Sequence, residues 1–326
     1  MSPEMEQCGL RIVILDGMDI GAENLARLER RGEVCFYADV PATTDEIVAR
    51  ARGAEVVLNS WTHMGNDVFE RLPGLRMVSL AASGVDYVDV AAAAGHGVTV
   101  CRVPHYATTA VSELALGLML SVMRGIPAVD GRVRRACAID WDAPEGVELH
   151  GRTLGVVGTG AIGRRVARLA HCFGMDVVGY DLQPVEALVD DLGMHYLTLP
   201  DVFAQSDVVS LHVPLTAETQ GFVDAGLLAL MSPAAFLINT ARAGLVEQEA
   251  LYAALSGGRL AGAGLDDIDL THESGCRLLE LDNVVFTPHI GFKTHEAVAS
   301  LIECCADNAL RFLDGGPRNV VAPAAP

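Results

Sequence analysis

Three glycines with the spacing G-x-G-x-x-G lie near the middle of the chain, in the stretch LGVVGTGAIGRRVARLA (154–170). An apolar, strand-like run ends at Gly158, and an amphipathic, helix-like pattern begins at Gly163. Gly158 would permit the tight turn, Gly160 would let the backbone approach a pyrophosphate, and Gly163 would permit close helix–strand packing. Because strand, turn and helix occur in the required order, the stretch predicts a dinucleotide-binding site.

The segments that follow the glycines indicate which dinucleotide binds. N–H groups at Ala161 and Ile162, at the positive end of the helix dipole, would bind the phosphates. The next strand-like run, MDVVGYD, ends in Asp181, 23 residues after the first glycine. A carboxylate at that position accepts hydrogen bonds from ribose hydroxyls and repels a 2′-phosphate. Leu182 and Gln183 supply no cation for such a phosphate, so the sequence predicts NAD rather than NADP.

Three further polar residues follow apolar, strand-like runs. Arg242 follows FLINTA, Asp266 ends AGAGLD, and His289 follows NVVFTP. Open α/β sheets bind ligands at the carboxyl ends of their strands, where these residues would lie. A guanidinium binds a carboxylate at two points, and a histidine transfers protons near neutral pH. Arg242 and His289 together therefore suit hydride transfer to a 2-oxo acid.

Length and composition limit the class of protein. The chain has 326 residues, 51% of them hydrophobic, and a formal net charge of −19. These values predict a globular protein of two domains and argue against a nucleic-acid partner, which requires clustered Lys and Arg. Neither a secretory signal nor an apolar run long enough for a membrane helix is evident, so no membrane association is expected. The eight scattered cysteines lack metal-binding spacing, predict no metal site and fit a cytoplasmic location.

The elements that must position these residues alternate along the chain. Short apolar runs separated by amphipathic stretches precede the glycine motif, and a second such series follows it. This alternation predicts an α/β fold with two doubly wound parallel-sheet domains. A long apolar helix is expected over residues 108–124, buried between layers. The Pro- and Ala-rich stretch after the last helix gives little reason for order.

Four segments resemble the D-isomer-specific 2-hydroxyacid dehydrogenase family. They are AASGVDYVDV (81–90), VPHYATTAVSELAL (103–116), INTARAGLVEQEAL and TPHIGFKTHEA. The resemblance implies a Rossmann NAD-binding domain, residues 104–289, inserted into a discontinuous flavodoxin-like substrate domain, residues 1–103 plus 290–326. It further implies a homodimer formed through the NAD-binding domain and a small 2-oxo or 2-hydroxy acid as substrate.

The resemblance also implies roles for individual residues. Arg242 would bind the substrate carboxylate and oxo group, and His289 would be the general acid and base. The backbone N–H groups that would hold the other side of the carboxylate are those of Ser83, Gly84 and Val85. The remaining cofactor contacts would come from Thr109, His212, Pro214, Thr240 and Asp266, with His212 and Pro214 at the adenine end.

One position departs from the family pattern. The family has a glutamate five residues after the aspartate matched by Asp266, and this glutamate pairs with the histidine. The residue here is Thr271. Asp269 and Glu273 lie two residues to either side, and the longer Glu273 is the favoured replacement. The sequence leaves open whether either acid reaches His289.

The function predicted first is NAD-dependent reduction of a 2-oxo acid to the D-hydroxy acid. The alternative is a dinucleotide-sensing regulatory protein, similar to the corepressors of the family, with little turnover. A third possibility is oxidation of a one-carbon or inorganic hydride donor. The loops NSWTHMG and AASGVD are expected to set the substrate preference, and Lys293 is a further cation whose role stays open.

Overall fold

The computed structural model describes residues 9–139 and 141–322, which form two compact units. Unit 1 comprises Met1–Tyr106 and His295–Pro326, and unit 2 comprises Ala107–Thr294. The sequence predicts that the chain changes domains after residues 103 and 289. Residues 290–294 belong to unit 2 because the N–H groups of Ile290 and Gly291 are hydrogen-bonded to Asp266.

Both units alternate strands and helices. The strands of the described residues are β1 (Arg11–Ile14), β2 (Glu33–Phe36), β3 (Val56–Asn59), β4 (Met77–Leu80), β5 (Thr99–Cys101), β6 (Thr153–Val157), β7 (Asp176–Tyr180), β8 (His195–Tyr196), β9 (Val208–Leu211), β10 (Phe236–Asn239), β11 (Gly262–Leu265) and β12 (Val284–Phe286). The α-helices are α1 (Gly21–Glu29), α2 (Thr44–Ala51), α3 (Asn66–Phe69), α4 (Val90–Gly95), α5 (Thr108–Met123), α6 (Ile126–Ala136), α7 (Ala161–Cys172), α8 (Glu186–Leu192), α9 (Leu199–Gln205), α10 (Ala225–Leu230), α11 (Gln248–Ser256), α12 (Glu273–Leu278) and α13 (His295–Leu313).

Unit 1 contains a five-stranded sheet in the order β2-β1-β3-β4-β5, with every strand pair parallel. Strands β3 and β4 are buried along their whole length, as expected for a sheet covered on both faces. The buried carboxylate of Asp16, which follows β1, accepts hydrogen bonds from the N–H groups of Ser60, Trp61 and Thr62. It thereby holds the loop at the carboxyl end of β3.

The segment after α13 is partly ordered, contrary to expectation. The N–H of Arg102 donates to the carbonyl oxygen of Asn319 at 3.0 Å, and the N–H of Val321 donates to that of Val100 at 2.8 Å. The segment therefore pairs antiparallel with the edge of β5, and Val321 packs against the core of unit 1. Pairing of an exposed strand edge is the physical reason for the order.

Unit 2 contains a seven-stranded parallel sheet in the order β12-β11-β10-β9-β6-β7-β8. The strand order reverses between β6 and β9, which is the switch point at which doubly wound sheets bind ligands. Strands β9, β10 and β11 are fully buried. Helix α5 packs against α7, β10 and β11, and its Ser112 is buried with the hydroxyl donating to the Thr109 carbonyl.

No single helix of the described residues is long and apolar enough to cross a membrane. Helices α5 and α6 meet the length and composition requirement only as a pair, and they are bent by 59° relative to each other. None of the seven cysteines within the described residues forms a disulfide bond with another.

Candidate active site

The glycine turn of unit 2 has the geometry of a phosphate cradle. Gly158 adopts a left-handed φ of +92°, and a Cβ there would lie 2.8 Å from the His212 backbone. A Cβ on Gly163 would lie 2.0 Å from the Gly158 carbonyl oxygen, so only glycine allows this contact between turn and helix. A Cβ on Gly160, in contrast, would meet no protein atom within 4 Å. The space beside Gly160 is therefore open, as a bound pyrophosphate requires.

The polar groups around the turn also fit a dinucleotide. Helix α7 begins at Ala161, and the described residues provide no acceptor for the N–H groups of Ala161, Ile162 and Gly163. Thr240, at the end of β10, is 9% exposed, yet its Oγ1 has no hydrogen-bond partner in the described structure. An orphaned buried hydroxyl is costly unless a ligand or solvent pairs with it. These groups fit NAD, whose nicotinamide carries the hydride in dehydrogenase chemistry.

Asp181 lies beside the glycine turn, as the sequence predicts. Its carboxylate accepts hydrogen bonds from the Thr159 N–H at 2.6 Å, the Thr159 hydroxyl at 3.0 Å and the Gln183 N–H at 2.9 Å. The Tyr196 hydroxyl donates in turn to the Thr159 hydroxyl. Partial burial disfavours ionisation, but the donated hydrogen bonds outweigh it and lower the pKa of Asp181. The group is thus an anion beside the glycine turn, and its exclusion of a 2′-phosphate stays a prediction.

Three other predicted cofactor residues have clear positions. His212 backs the glycine turn, its Nε2 lies 2.9 Å from the Ser210 hydroxyl, and burial lowers the pKa of His212 to about 4. The ring is therefore neutral at physiological pH. Pro214 is exposed two residues further on, and Thr109 is exposed in the first turn of α5.

Arg242 lies directly beyond the carboxyl end of β10. The buried side chain of Asn239 fixes this segment, because its amide donates to the Arg242 carbonyl at 2.8 Å and accepts from the Ala241 N–H at 3.0 Å. A 3-10 turn (Ala243–Leu245) follows immediately. Arg242 is thus presented by a short, hydrogen-bonded segment at the edge where α/β sheets bind ligands.

His289 lies beyond the carboxyl end of β12, at the same edge of the sheet as Arg242. Its backbone is left-handed, with φ of +54°. Its N–H donates to the Asp266 carbonyl at 2.6 Å. The buried Asp266 carboxylate accepts from the Thr287 hydroxyl and from the N–H groups of Ile290 and Gly291. A left-handed residue other than glycine persists where its surroundings hold it, and Asp266 does so here. The contact of Asp266 with the nicotinamide that the resemblance implies stays a prediction.

The carboxylate beside His289 belongs to Asp267, which is not among the residues predicted from the sequence. Its Oδ1 lies 3.9 Å from His289 Nδ1, and its Oδ2 accepts from the Ala243 N–H at 3.0 Å. Consecutive side chains of an extended strand point to opposite faces. The Asp266 side chain points into the loop that carries His289, so the Asp267 side chain is directed to the opposite face. Two consecutive aspartates at the end of a strand-like run are the sequence feature that could have indicated a carboxylate at this position.

The prediction that Glu273 pairs with His289 is corrected by this finding. Glu273 is exposed in the first turn of α12, where its charge acts on Arg277. Asp269 forms a local turn with Thr271 and His272, with Oδ2 2.9 Å from the His272 ring, and its pKa is lowered mainly by the Thr271 hydroxyl. Within the described residues, no group of three or more His, Cys, Asp or Glu could hold a metal ion.

Ser83, Gly84 and Val85 follow β4 in unit 1. The Ser83 hydroxyl donates to the Val103 carbonyl at 2.7 Å, which fixes the loop to β5. Nothing in the described part of the chain accepts from the N–H groups of these three residues. Successive unpaired N–H groups form a concavity that suits an anion. Trp61, on the adjacent loop after β3, is 55% exposed, and Lys293 of unit 2 is exposed as well.

The fold and the turn define a Rossmann-type dinucleotide-binding protein, and the comparisons with known proteins are specific. Residues 116–291 match the model of the D-isomer specific 2-hydroxyacid dehydrogenase, NAD binding domain. The chain is 37% identical to the glycerate dehydrogenase of Methylorubrum extorquens, over 86% of this chain and 89% of that protein. It is 33% identical to the hydroxypyruvate reductase of Blautia hydrogenotrophica, over 96% and 99% respectively.

A solved structure agrees with these relatives. The D-lactate dehydrogenase of Aquifex aeolicus, in complex with NAD and lactic acid, superimposes with a TM-score of 0.84 at 27% identity, over 94% of this chain and 96% of that one. The chain belongs to the D-isomer-specific 2-hydroxyacid dehydrogenase family, and it is an NAD-dependent enzyme of that family.

Proposed function

We propose that this protein catalyses reversible hydride transfer between NADH and a small 2-oxo acid, giving the D-2-hydroxy acid. The observation that supports this proposal is the grouping of Arg242, Asp267 and His289. They follow β10, β11 and β12, three adjacent strands of the sheet that also carries the glycine turn. A cation, a general acid and a carboxylate thus share one edge with the cofactor site.

The reaction follows from the chemistry of these side chains. The Arg242 guanidinium binds the substrate carboxylate and polarises the oxo group, as a planar two-point donor can. His289 donates a proton to the oxygen that becomes the hydroxyl, and it takes the proton back in the oxidative direction. Within unit 1, the unpaired N–H groups of Ser83, Gly84 and Val85 offer donors that suit an anion such as a carboxylate.

Hydroxypyruvate and D-glycerate are the substrates we propose to test first. The two curated relatives described above are a glycerate dehydrogenase and a hydroxypyruvate reductase, names that describe the two directions of one reaction.

The protein would act as a homodimer formed through unit 2. Helix α6 and the residues after it carry large apolar side chains at the surface, with Ile126 51% exposed and Trp141 87% exposed. Large exposed apolar side chains, aromatic ones above all, are enriched at interfaces between proteins.

The test is NADH oxidation by the purified protein over glyoxylate, pyruvate, hydroxypyruvate and bulkier 2-oxo acids. We expect turnover that falls by about 10² to 10³ in kcat/KM in Arg242→Ala and by about 10² to 10⁴ in His289→Ala. The matched control is Arg259→Ala, which removes an exposed arginine after α11 and should leave turnover unchanged. NADH binding without turnover on every acid would instead favour the dinucleotide-sensing alternative.

A further inference from the structure

We propose that Asp267 is the positioning residue of this active site, acting on His289 and on the turn that follows Arg242. The inference rests on the proposed function, because it assigns Asp267 a part in the same reaction. It differs from the pattern that the sequence analysis expects, since the acid comes one residue after Asp266 rather than five. Three observations from unit 2 support the role of Asp267.

The first observation is that one carboxylate contacts both functional segments. Asp267 Oδ2 accepts the Ala243 N–H at 3.0 Å, which fixes the backbone next to Arg242. Asp267 Oδ1 faces His289 Nδ1 at 3.9 Å. The side chains of Asp267 and His289 are 30% and 33% exposed, so the pair is partly shielded from water. Asp267 is therefore placed to set the distance between the carboxylate-binding arginine and the general acid.

The second observation concerns charge. Burial disfavours ionisation of Asp267, but the His289 ring, the Ala243 N–H and the positive charge of Arg242 outweigh it, so the pKa of Asp267 is lowered. The carboxylate of the preceding residue, Asp266, is directed into the loop behind His289. Asp267 is thus an anion that faces the imidazole and can balance its positive charge when the ring is protonated.

The third observation concerns the two other acids that the sequence offers, Asp269 and Glu273. Asp269 is hydrogen-bonded to Thr271 and His272, and Glu273 is exposed in the first turn of α12. These two residues therefore serve as matched controls, because they carry the same charge within the same segment.

The chemical consequence concerns the direction of proton transfer. A carboxylate at Nδ1 favours a proton on that nitrogen and leaves Nε2 to exchange a proton with the substrate. The separation of 3.9 Å is longer than a direct hydrogen bond, and such contacts commonly shorten when substrate binds or the ring becomes charged. Without the carboxylate, the imidazole would lose the anion that faces its Nδ1 and balances its positive charge.

The experiment compares wild type with Asp267→Asn, Asp267→Glu, Asp269→Asn and Glu273→Gln in the full chain. The first measurement is the pH profile of kcat/KM for reduction of the best 2-oxo acid. We expect the fall of kcat/KM with rising pH to occur about one pH unit lower in Asp267→Asn than in wild type. At pH 7.5, kcat/KM should therefore be about tenfold lower. Asp267→Glu should restore the profile in part, and the two control variants should match wild type.

The second measurement is independent of activity. Histidine-selective ¹⁵N NMR, with the His289 signals identified by their absence in His289→Gln, follows protonation of the ring against pH. We expect the His289 signals to change over a lower pH range in Asp267→Asn than in wild type or Asp269→Asn. Unaltered His289 signals in Asp267→Asn would overturn the inference, whatever the turnover. If wild type turns over no 2-oxo acid, the proposed function fails, while the NMR comparison still tests Asp267.

Discussion

Asp266 and His289 are joined through the backbone: the His289 N–H donates to the Asp266 carbonyl oxygen at 2.6 Å. The Asp266 carboxylate also accepts the N–H groups of Ile290 at 2.8 Å and Gly291 at 2.7 Å. Strand β11 thereby holds the loop that follows β12. His289 keeps its left-handed backbone, with φ of +54°, because several hydrogen bonds converge on this one buried carboxylate.

Asp266→Asn tests this relationship. An amide nitrogen cannot accept a hydrogen bond, so a backbone N–H at Ile290 or Gly291 loses its acceptor in a buried place. We expect the free energy of unfolding to fall by about 2 to 3 kcal/mol, since a buried donor loses a charged partner. The measurement is urea unfolding followed by circular dichroism. If the variant unfolds at the wild-type urea concentration, the loop does not depend on this carboxylate.

The glycine turn offers a pair of substitutions with opposite outcomes. Gly163→Ala would bring a Cβ to 2.0 Å from the Gly158 carbonyl and should destabilise unit 2 by about 1 to 3 kcal/mol. Gly160→Ala meets no protein atom within 4 Å and should fold normally, yet its methyl group would occupy the space for the pyrophosphate. Thermal unfolding and NADH titration by fluorescence separate the two effects. Tight NADH binding by Gly160→Ala would place the phosphates elsewhere.

Asp181 is expected to determine the preference for NADH over NADPH. In Asp181→Ser the anion that opposes a 2′-phosphate is removed, so the ratio of kcat/KM values for the two cofactors should shift toward NADPH by about tenfold or more. Asp190→Ser, on the exposed side of α8, is the charge-matched control. An unchanged ratio in Asp181→Ser would mean that another group excludes the phosphate.

The acid stability of unit 2 should also depend on Asp181. Its pKa is lowered in the folded state, because hydrogen bonds from Gln183 and Thr159 outweigh the opposing effect of burial. Its contribution is therefore present above the unfolded-state pKa near 3.9 and is lost as the pH falls through the folded-state pKa. Unfolding free energies measured between about pH 7 and pH 3 should fall less steeply in Asp181→Asn than in wild type. Parallel curves would contradict this assignment.

Several features could be predicted from the sequence because they are local. The glycine spacing, the strand before it and the helix after it lie within residues 153–172, and Asp181 directly follows the next strand. The apolar pattern over residues 108–124 predicts α5, which the structure confirms as Thr108–Met123. The positions of Arg242 and His289 could be predicted because parallel strands present the residues at their carboxyl ends along one edge.

Other features depend on the tertiary structure alone. The sequence offers three acids near the position where a glutamate is expected, and their side-chain directions depend on how the segment after β11 is folded. Asp267 is directed toward His289 because the preceding Asp266 points to the opposite face, where it accepts hydrogen bonds from the loop after β12. In the same way, Val321 pairs with Val100, more than 200 residues away, because β5 is an edge strand that needs a partner.

The sequence by itself therefore determined the α/β class, the dinucleotide turn and the strand ends that carry Arg242 and His289, since each follows from residue type and short-range spacing. The tertiary structure alone decided which carboxylate faces the imidazole and which buried hydroxyl, that of Thr240, is left for a ligand. These relationships join segments distant in the chain, and their geometry exists only after the strands have aligned in one sheet.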